Sequence, residues 1–201
     1  STDAIAKYCG INGYTTTIST ACSSAANAII AGAKLLRHNI VDYIVVGGSD
    51  ALSAFTLNGF KSLMILDEEL CKPFDKERKG LNLGEGAGYL VMQREDDAAS
   101  FYCRLSGYAN SNDAHHQTAS SANGEGAYLA MSKALSMANI APESVDYINA
   151  HGTGTGNNDA SESAAFVRLF GETVPPFSST KGFTGHTLAA AGGIEAVFSV
   201  L

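Results

Sequence analysis

Twice in this chain a run of apolar and β-branched residues stops against small residues that open a helical pattern. Residues 14–20 (YTTTIST) meet Ala21, Cys22, Ser23 and Ser24 and lead into helical spacing up to Arg37. Residues 145–150 (VDYINA) meet HGTGTGNND and lead into helical spacing over residues 159–170. A strand that passes at once into a helix forces the helix to pack back on the sheet, so the pattern points to an α/β fold with functional groups at the strand ends. A third segment, SSTKGFTGHTLAAAGG, follows a short strand that starts at residues 176–179 and precedes an alanine-rich helix. All three turns are expected to converge on one crevice.

The remaining chain fits this alternation. Ser1 or Thr2 caps a short helix through Lys7, and residues 15–19 are the first strand. A helix is expected over residues 25–37, ending near His38, whose position favours a C-terminal charge or cap. A buried strand follows at residues 41–47 and another strand at residues 87–93, with further strand signal at residues 102–108. Between them residues 50–70 are mixed and end in an acidic turn, and KPFDKERKG is an exposed loop. Residues 125–139 carry helical spacing.

The turn residues carry the chemistry. Cys22 lies among the unsatisfied N–H groups of a helix start, where the macrodipole favours a thiolate, the nucleophilic form. A lone cysteine is more often an inert buried hydrophobe. The small residues of TACSS argue otherwise, because they let substrate and backbone approach closely. Cys9, Cys71 and Cys103 lack such a setting, match no zinc or redox spacing, and read as packing or incidental surface cysteines. Two glycine-flanked histidines, His151 and His186, are positioned to complete a site with Cys22.

Composition excludes other classes. The chain has 201 residues, 45% hydrophobic, enough for a sizeable core, with few charges and abundant glycine and alanine that suggest tightly packed elements. A net charge of -7 argues against nucleic acid, and no apolar run reaches the length of a membrane span. No signal-peptide pattern opens the sequence, so a cytoplasmic location is expected. LNLGEGAGYLV invites a phosphate-loop reading, but no Walker lysine follows and the glycines precede a strand rather than a helix. Gly84, Gly86 and Gly88 are read instead as positions of close backbone packing or a bulge.

Taken in order, TACSS, KPFDKERKGLNLGEGAG, NAHGTGTGNND and SSTKGFTGHTLAAAGG resemble the elongating β-ketoacyl-acyl-carrier-protein synthases, over residues 17–195. Polyketide ketosynthases share these motifs. The resemblance implies a thiolase-like layered α/β fold with mixed sheets. It implies acyl transfer to Cys22 and decarboxylative Claisen condensation with a malonyl-carrier protein, with His151 and His186 serving the enolate step. Cys22 N–H would be one oxyanion donor. Lys181 matches the family lysine, with an electrostatic orienting role. Asp159 and Glu162 match the acidic pair and are expected to pair with Lys181 and hold the histidine loops in register. Thr153 and Thr155 match residues that contact the pantetheine arm, and Phe60 is expected to shape the acyl pocket. Glu195 matches a position linked to a monovalent cation in some members. Gly156 stands where the family commonly has proline, which would loosen that turn. His115 and His116 resemble a loop near the substrate entrance and are read as solvated.

Family chains are roughly twice as long. The sequence is therefore expected to be a partial ketosynthase domain incomplete at both ends, with residues 1–95 closing the N-terminal half and residues 96–201 forming most of the C-terminal half. The GFGGTN-like loop that gives the second oxyanion N–H is missing, so impaired turnover is one expectation. The partners implied are an acyl-carrier protein with its phosphopantetheine arm and a homodimer mate or partner ketosynthase subunit; no cofactor is implied. Two other readings remain: a non-catalytic partner like the chain-length factors, which lack the active cysteine retained here, and a Cys-His thiol hydrolase, which would need one histidine with an orienting Asn or Asp.

Overall fold

The computed structural model describes residues 2–116 and 118–201, so the capping role considered for Ser1 lies outside the described residues. In chain order the elements are α1 (Thr2–Tyr8), α2 (Ser24–Arg37), β1 (Tyr43–Asp50), α3 (Ala54–Ser62), β2 (Gly86–Gln93), α4 (Glu125–Ala138), β3 (Ile148–Asn149), α5 (Gly156–Phe170), β4 (Phe177–Ser178), α6 (Lys181–Thr184) and α7 (Ala191–Val200). Two compact units divide them. One holds Ser1–Ala51, Glu85–Phe101 and Thr187–Leu201; the other holds Leu52–Gly84 and Tyr102–His186. No helix among the described residues is long and apolar enough to cross a membrane.

In the first unit β1 and β2 form an antiparallel pair running without interruption from Tyr43 opposite Gln93 to Asp50 opposite Gly86. The glycines of β2 therefore make no bulge. They serve close packing: a Cβ on Gly88 would lie 2.6 Å from backbone atoms of Gly193 and Ile194. A Cβ on Gly48 would lie 2.6 Å from the Ala189 carbonyl and 2.9 Å from the Ala25 methyl. Only residues without bulk let α2 and α7 approach this sheet so closely. Leu36 and Val46 are buried in the same core, each worth about 1.5–3 kcal/mol when fully removed from water. The Asp50 carboxylate adds a tie by accepting the N–H of Ala189 at 3.0 Å.

The second unit is built on the parallel pair β3–β4 and on α5. Phe74 and Phe177 cluster on the buried Phe166, the three ring centroids 4.9 to 6.3 Å apart. Arg168 of α5 reaches Glu125 of α4 at 2.9 Å and stacks over Tyr128. Helix ends follow local chemistry: Ser53 caps α3 by accepting from Thr56 N–H, Thr155 caps α5 by accepting from Asn158 N–H, and Gly171, at φ 67°, ends it.

Three expectations change. Residues 15–19 and 102–108 form no strand, since among the described residues neither segment has a ladder partner; only a Thr20–Cys22 bridge remains of the first. Gly107 instead presses against α4, where a Cβ would meet the Ala138 methyl at 2.9 Å. The KPFDKERKG segment is not wholly exposed. Phe74 turns inward at φ 62° because its N–H is drawn to the buried Asp159 carboxylate at 2.7 Å.

Candidate active site

The first unit carries the thiol. Cys22 is half-buried, one residue before Ser23, the N-cap of α2. The turn that presents it is tight. Ala21 sits at φ 53°, a left-handed conformation uncommon for a residue with a side chain. Around it Ser24 Oγ donates to the Ala21 carbonyl at 2.6 Å and accepts the Thr20 N–H at 2.9 Å. Asn27 holds the Thr20 hydroxyl from one helical turn further on. Small hydroxyl residues flank the thiol because they tie the turn to itself while occupying little space.

Glu195 belongs to the same unit, half-buried in α7. No group of three or more His, Cys, Asp and Glu side chains suited to a metal ion occurs among the described residues.

The second unit gathers the other candidates. β3 delivers the chain into residues 151–155, and the glycines at 152 and 154 take positive φ, 39° and 75°. The turn would leave four backbone N–H groups pointing one way. Two carboxylates from α5 take all four: Glu162 accepts from His151 at 2.8 Å and Gly152 at 2.9 Å, and Asp159 accepts from Thr153 at 3.0 Å and Gly154 at 3.2 Å. The hold on the histidine loop thus runs through backbone amides. Asp159 is buried and receives Phe74 N–H as well, with Arg78 Nε 3.8 Å away. Hydrogen bonds to a charged group such as this are worth about 1.5–3 kcal/mol each. Burial pushes the Glu162 carboxyl up, against the pull of the two amides.

Lys181, at the start of α6, is buried and donates to the His151 carbonyl at 2.6 Å, with its Nζ 3.3 Å from His151 Nδ1. An ammonium has only donors, so Nδ1 is the acceptor and the His151 proton sits on Nε2. The ring of His186 stands edge-on to that of His151, centroids 5.2 Å apart. Phe60 of α3 faces His186 at 6.4 Å. Burial and then the Lys181 charge push the His186 imidazole down to about 4. Burial, Lys181 and His186 together hold His151 well below the usual histidine range. Both rings are neutral at pH 7 and can act as hydrogen-bond donors to developing negative charge.

Thr153 and Thr155 stand beside this pair, their hydroxyls 2.9 Å apart. Thr155 doubles as the cap of α5, so Gly156 is the first helical residue rather than part of a loosened turn. His115 and His116 are exposed, and His116 Nδ1 accepts N–H groups of Thr118 and Ala119. Three supporting residues were not singled out by motif reading. Ser179 Oγ donates to the Gly152 carbonyl at 2.7 Å, Arg78 reaches the Thr155 carbonyl, and Asn82 binds the segment preceding the lysine-rich loop. The polar Asn82 within LNL was the one visible signal. Cys71 is buried, as a packing residue should be, whereas Cys9 and Cys103 are exposed.

The chain is similar to known proteins over nearly its whole length. Residues 3–98 match the beta-ketoacyl synthase N-terminal domain, and residues 102–201 match the beta-ketoacyl synthase C-terminal domain. The mitochondrial 3-oxoacyl-[acyl-carrier-protein] synthase of Arabidopsis thaliana is 38% identical over 97% of this chain and 46% of its own. The 3-oxoacyl-[acyl-carrier-protein] synthase 2 of Staphylococcus aureus is 39% identical over 96% of this chain and 50% of its own. Among solved structures, the ketosynthase ApeO in complex with its chain length factor ApeC from Xenorhabdus doucetiae is 44% identical, with a TM-score of 0.92 over 98% of this chain and 48% of that one. The ishigamide ketosynthase/chain length factor is 35% identical, with a TM-score of 0.95 over 100% of this chain and 50% of that one. The chain spans about half the length of the curated relatives it matches. The α/β arrangement is that of the thiolase-like ketosynthases, and two domain matches that together run from residue 3 to residue 201 place the chain in the beta-ketoacyl synthase family.

Proposed function

We propose that this chain carries the catalytic residues of a 3-oxoacyl-[acyl-carrier-protein] synthase, an acyltransferase that performs decarboxylative Claisen condensation in fatty acid, polyketide or polyene synthesis. The observation that carries the reading is the edge-on pair of imidazoles, His186 buried and His151 half-buried, with Lys181 directing the His151 proton onto Nε2. In the first half-reaction the Cys22 thiolate attacks an acyl thioester, the bond from the acyl carbon to the carrier sulfur breaks, and the carrier leaves as its thiolate. In the second, malonyl-carrier protein loses carbon dioxide, and the electron pair of the broken carbon–carbon bond becomes an enolate. His151 and His186 donate hydrogen bonds to the enolate oxygen. The enolate carbon then attacks the acyl-Cys22 carbonyl and expels the Cys22 thiolate. A neutral donor suits this task, because an imidazolium would transfer its proton to the enolate carbon system and quench it.

Lys181, Asp159 and Glu162 hold the two histidines, Thr153 and Thr155 meet the pantetheine arm, and Phe60 lines the acyl pocket in this reading. Residues 1–95 close the N-terminal half of the domain and residues 96–201 form most of the C-terminal half; the domain matches at 3–98 and 102–201 support that division. An acyl-carrier protein and a homodimer mate or ketosynthase-like subunit are the partners. Solved structures with carrier protein or chain length factor support this, at 33% and 44% identity. A cytoplasmic site suits four cysteines that form no disulfide. The test is intact mass after incubation with an acyl-carrier-protein thioester. An acyl adduct on wild type and not on Cys22→Ala, followed by carbon dioxide release coupled to carbon–carbon bond formation with malonyl-carrier protein, is expected. Adduct formation followed by hydrolysis alone would sink the condensing role.

A further inference from the structure

Asn82 commits three side-chain hydrogen bonds, both amide protons among them, to residues 67–71. Its Oδ1 accepts the Cys71 N–H at 2.7 Å, and its Nδ2 donates to the carbonyls of Asp67 at 3.0 Å and Glu69 at 2.9 Å. The backbone of the same residue reaches a histidine directly. The Asn82 carbonyl accepts the His186 N–H at 2.7 Å, and the N–H of Gly84 donates to the His186 carbonyl at 3.0 Å, so His186 is clasped on both sides by residues 82–84.

The second histidine is reached through Cys71. Its thiol donates to the Thr153 carbonyl at 3.0 Å, two residues beyond His151. Burial, above all, pushes that thiol up, which keeps it a donor. The contact has no slack: a Cβ on Gly154 would lie 2.7 Å from both Cys71 Sγ and the Gly80 carbonyl oxygen. A shift of Cys71 is therefore passed to the loop that starts at His151, and a shift of residues 82–84 is passed to His186.

We propose that Asn82 is a positioning residue that sets the spacing of the two imidazoles, acting on His186 through its own backbone and on the His151 loop through Cys71. Its kinetic consequence rests on the condensing reading above; its geometric consequence does not. Asn82→Leu keeps the branched shape, with somewhat larger groups, and removes all three side-chain bonds. Cys71→Ala breaks only the link to Thr153, while Cys71→Ser keeps a donor there.

The experiment records the imidazole nitrogen and proton resonances of the 15N-labelled chain at pH 7.5, together with Cys22 acylation and condensation kinetics. Asn82→Leu is expected to move the ring signals of both histidines and to lower condensation kcat about tenfold, with KM and acylation within twofold of wild type. Cys71→Ala should move the His151 signal more than that of His186, and Cys71→Ser should restore it. The double variant Asn82→Leu/Cys71→Ala should lose less than the product of the single losses, because one linkage is being cut twice. Ring signals unmoved in Cys71→Ala and in a folded Asn82→Leu overturn the proposal. So does an Asn82→Leu variant whose acylation, condensation and melting temperature fall together, since that is a general loss of fold. A wild-type chain that acylates and does not condense contradicts the condensing reading alone, and the ring signals still decide the role of Asn82.

Discussion

The two units solve the same problem, holding a loop end in place, by opposite means. In the first unit α2 and α7 meet the sheet through residues with almost no side chain, and the order comes from backbones in contact at Gly48, Gly88 and Gly193. In the second, the loop carrying His151 is held by ionic groups: the carboxylates of buried Asp159 and half-buried Glu162 on its amides, and buried Lys181 on its carbonyl. Close packing is intolerant of added volume and indifferent to pH. A charged scaffold tolerates volume better and is sensitive to charge. The comparison predicts different failures for the two halves.

The largest effect is expected at Asp159. Asp159→Ala leaves the N–H groups of Thr153, Gly154 and Phe74 without their acceptor, and each buried orphan costs about 1–3 kcal/mol. A loss of about 4 kcal/mol in urea unfolding, with condensation abolished, is the expected result. A loss below about 1 kcal/mol would mean that the loop is held by packing like the first unit.

Next in size is the response to acid. The folded-state pKa of His186, about 4, lies below its ordinary 6.5, and that of His151 is lower still than the ordinary value. The unfolded chain therefore takes up these protons first. Their contribution is fully present above pH 6.5 and is lost as pH falls toward 4, on the order of 3 kcal/mol for His186 alone. Glu162, raised by burial, works in the opposite direction as pH falls through its own folded-state value. Unfolding free energy measured from pH 8 to pH 4 should drop across this window, and the drop should flatten in His186→Gln. An unchanged slope in that variant would remove the titrating histidine from the account.

The smaller effect tests the other half. Gly88→Ala places a methyl 2.6 Å from the backbone of Gly193, which cannot swing aside as a side chain would. A cost of about 2 kcal/mol is expected, with no change in the pH dependence of stability. A neutral Gly88→Ala would show that α7 can slide, and that the seam is looser than its distances imply.

Much of this was legible beforehand, for reasons that differ by element. α2, α4 and α5 follow from helical spacing and turn residues, and β1 and β2 from dense apolar runs, because these signals are local. α5 starts three residues before the expected residue 159, since the cap is Thr155 within a segment that reads as a glycine turn. Residues 15–19, rich in β-branched side chains, and 102–108, with a tyrosine at each end, have a capacity for strand, while a strand exists only beside a partner. Asp159 and Glu162 were visible as a pair three apart on one helix face. Their targets were not, because backbone amides have no signature in sequence. Asn82 was hidden for the same reason: three of its four partners are main-chain groups of a segment 11 to 15 residues away.

The occupied amides of residues 151–154 have one more consequence. A glycine-rich turn at a helix start ordinarily forms a concave anion receptor. Here the receptor is already filled, by two carboxylates belonging to the same chain, and its face toward a visiting molecule offers imidazole and hydroxyl groups in place of peptide N–H. This glycine-rich turn is thereby closed to phosphate, having taken its counter-charge from within.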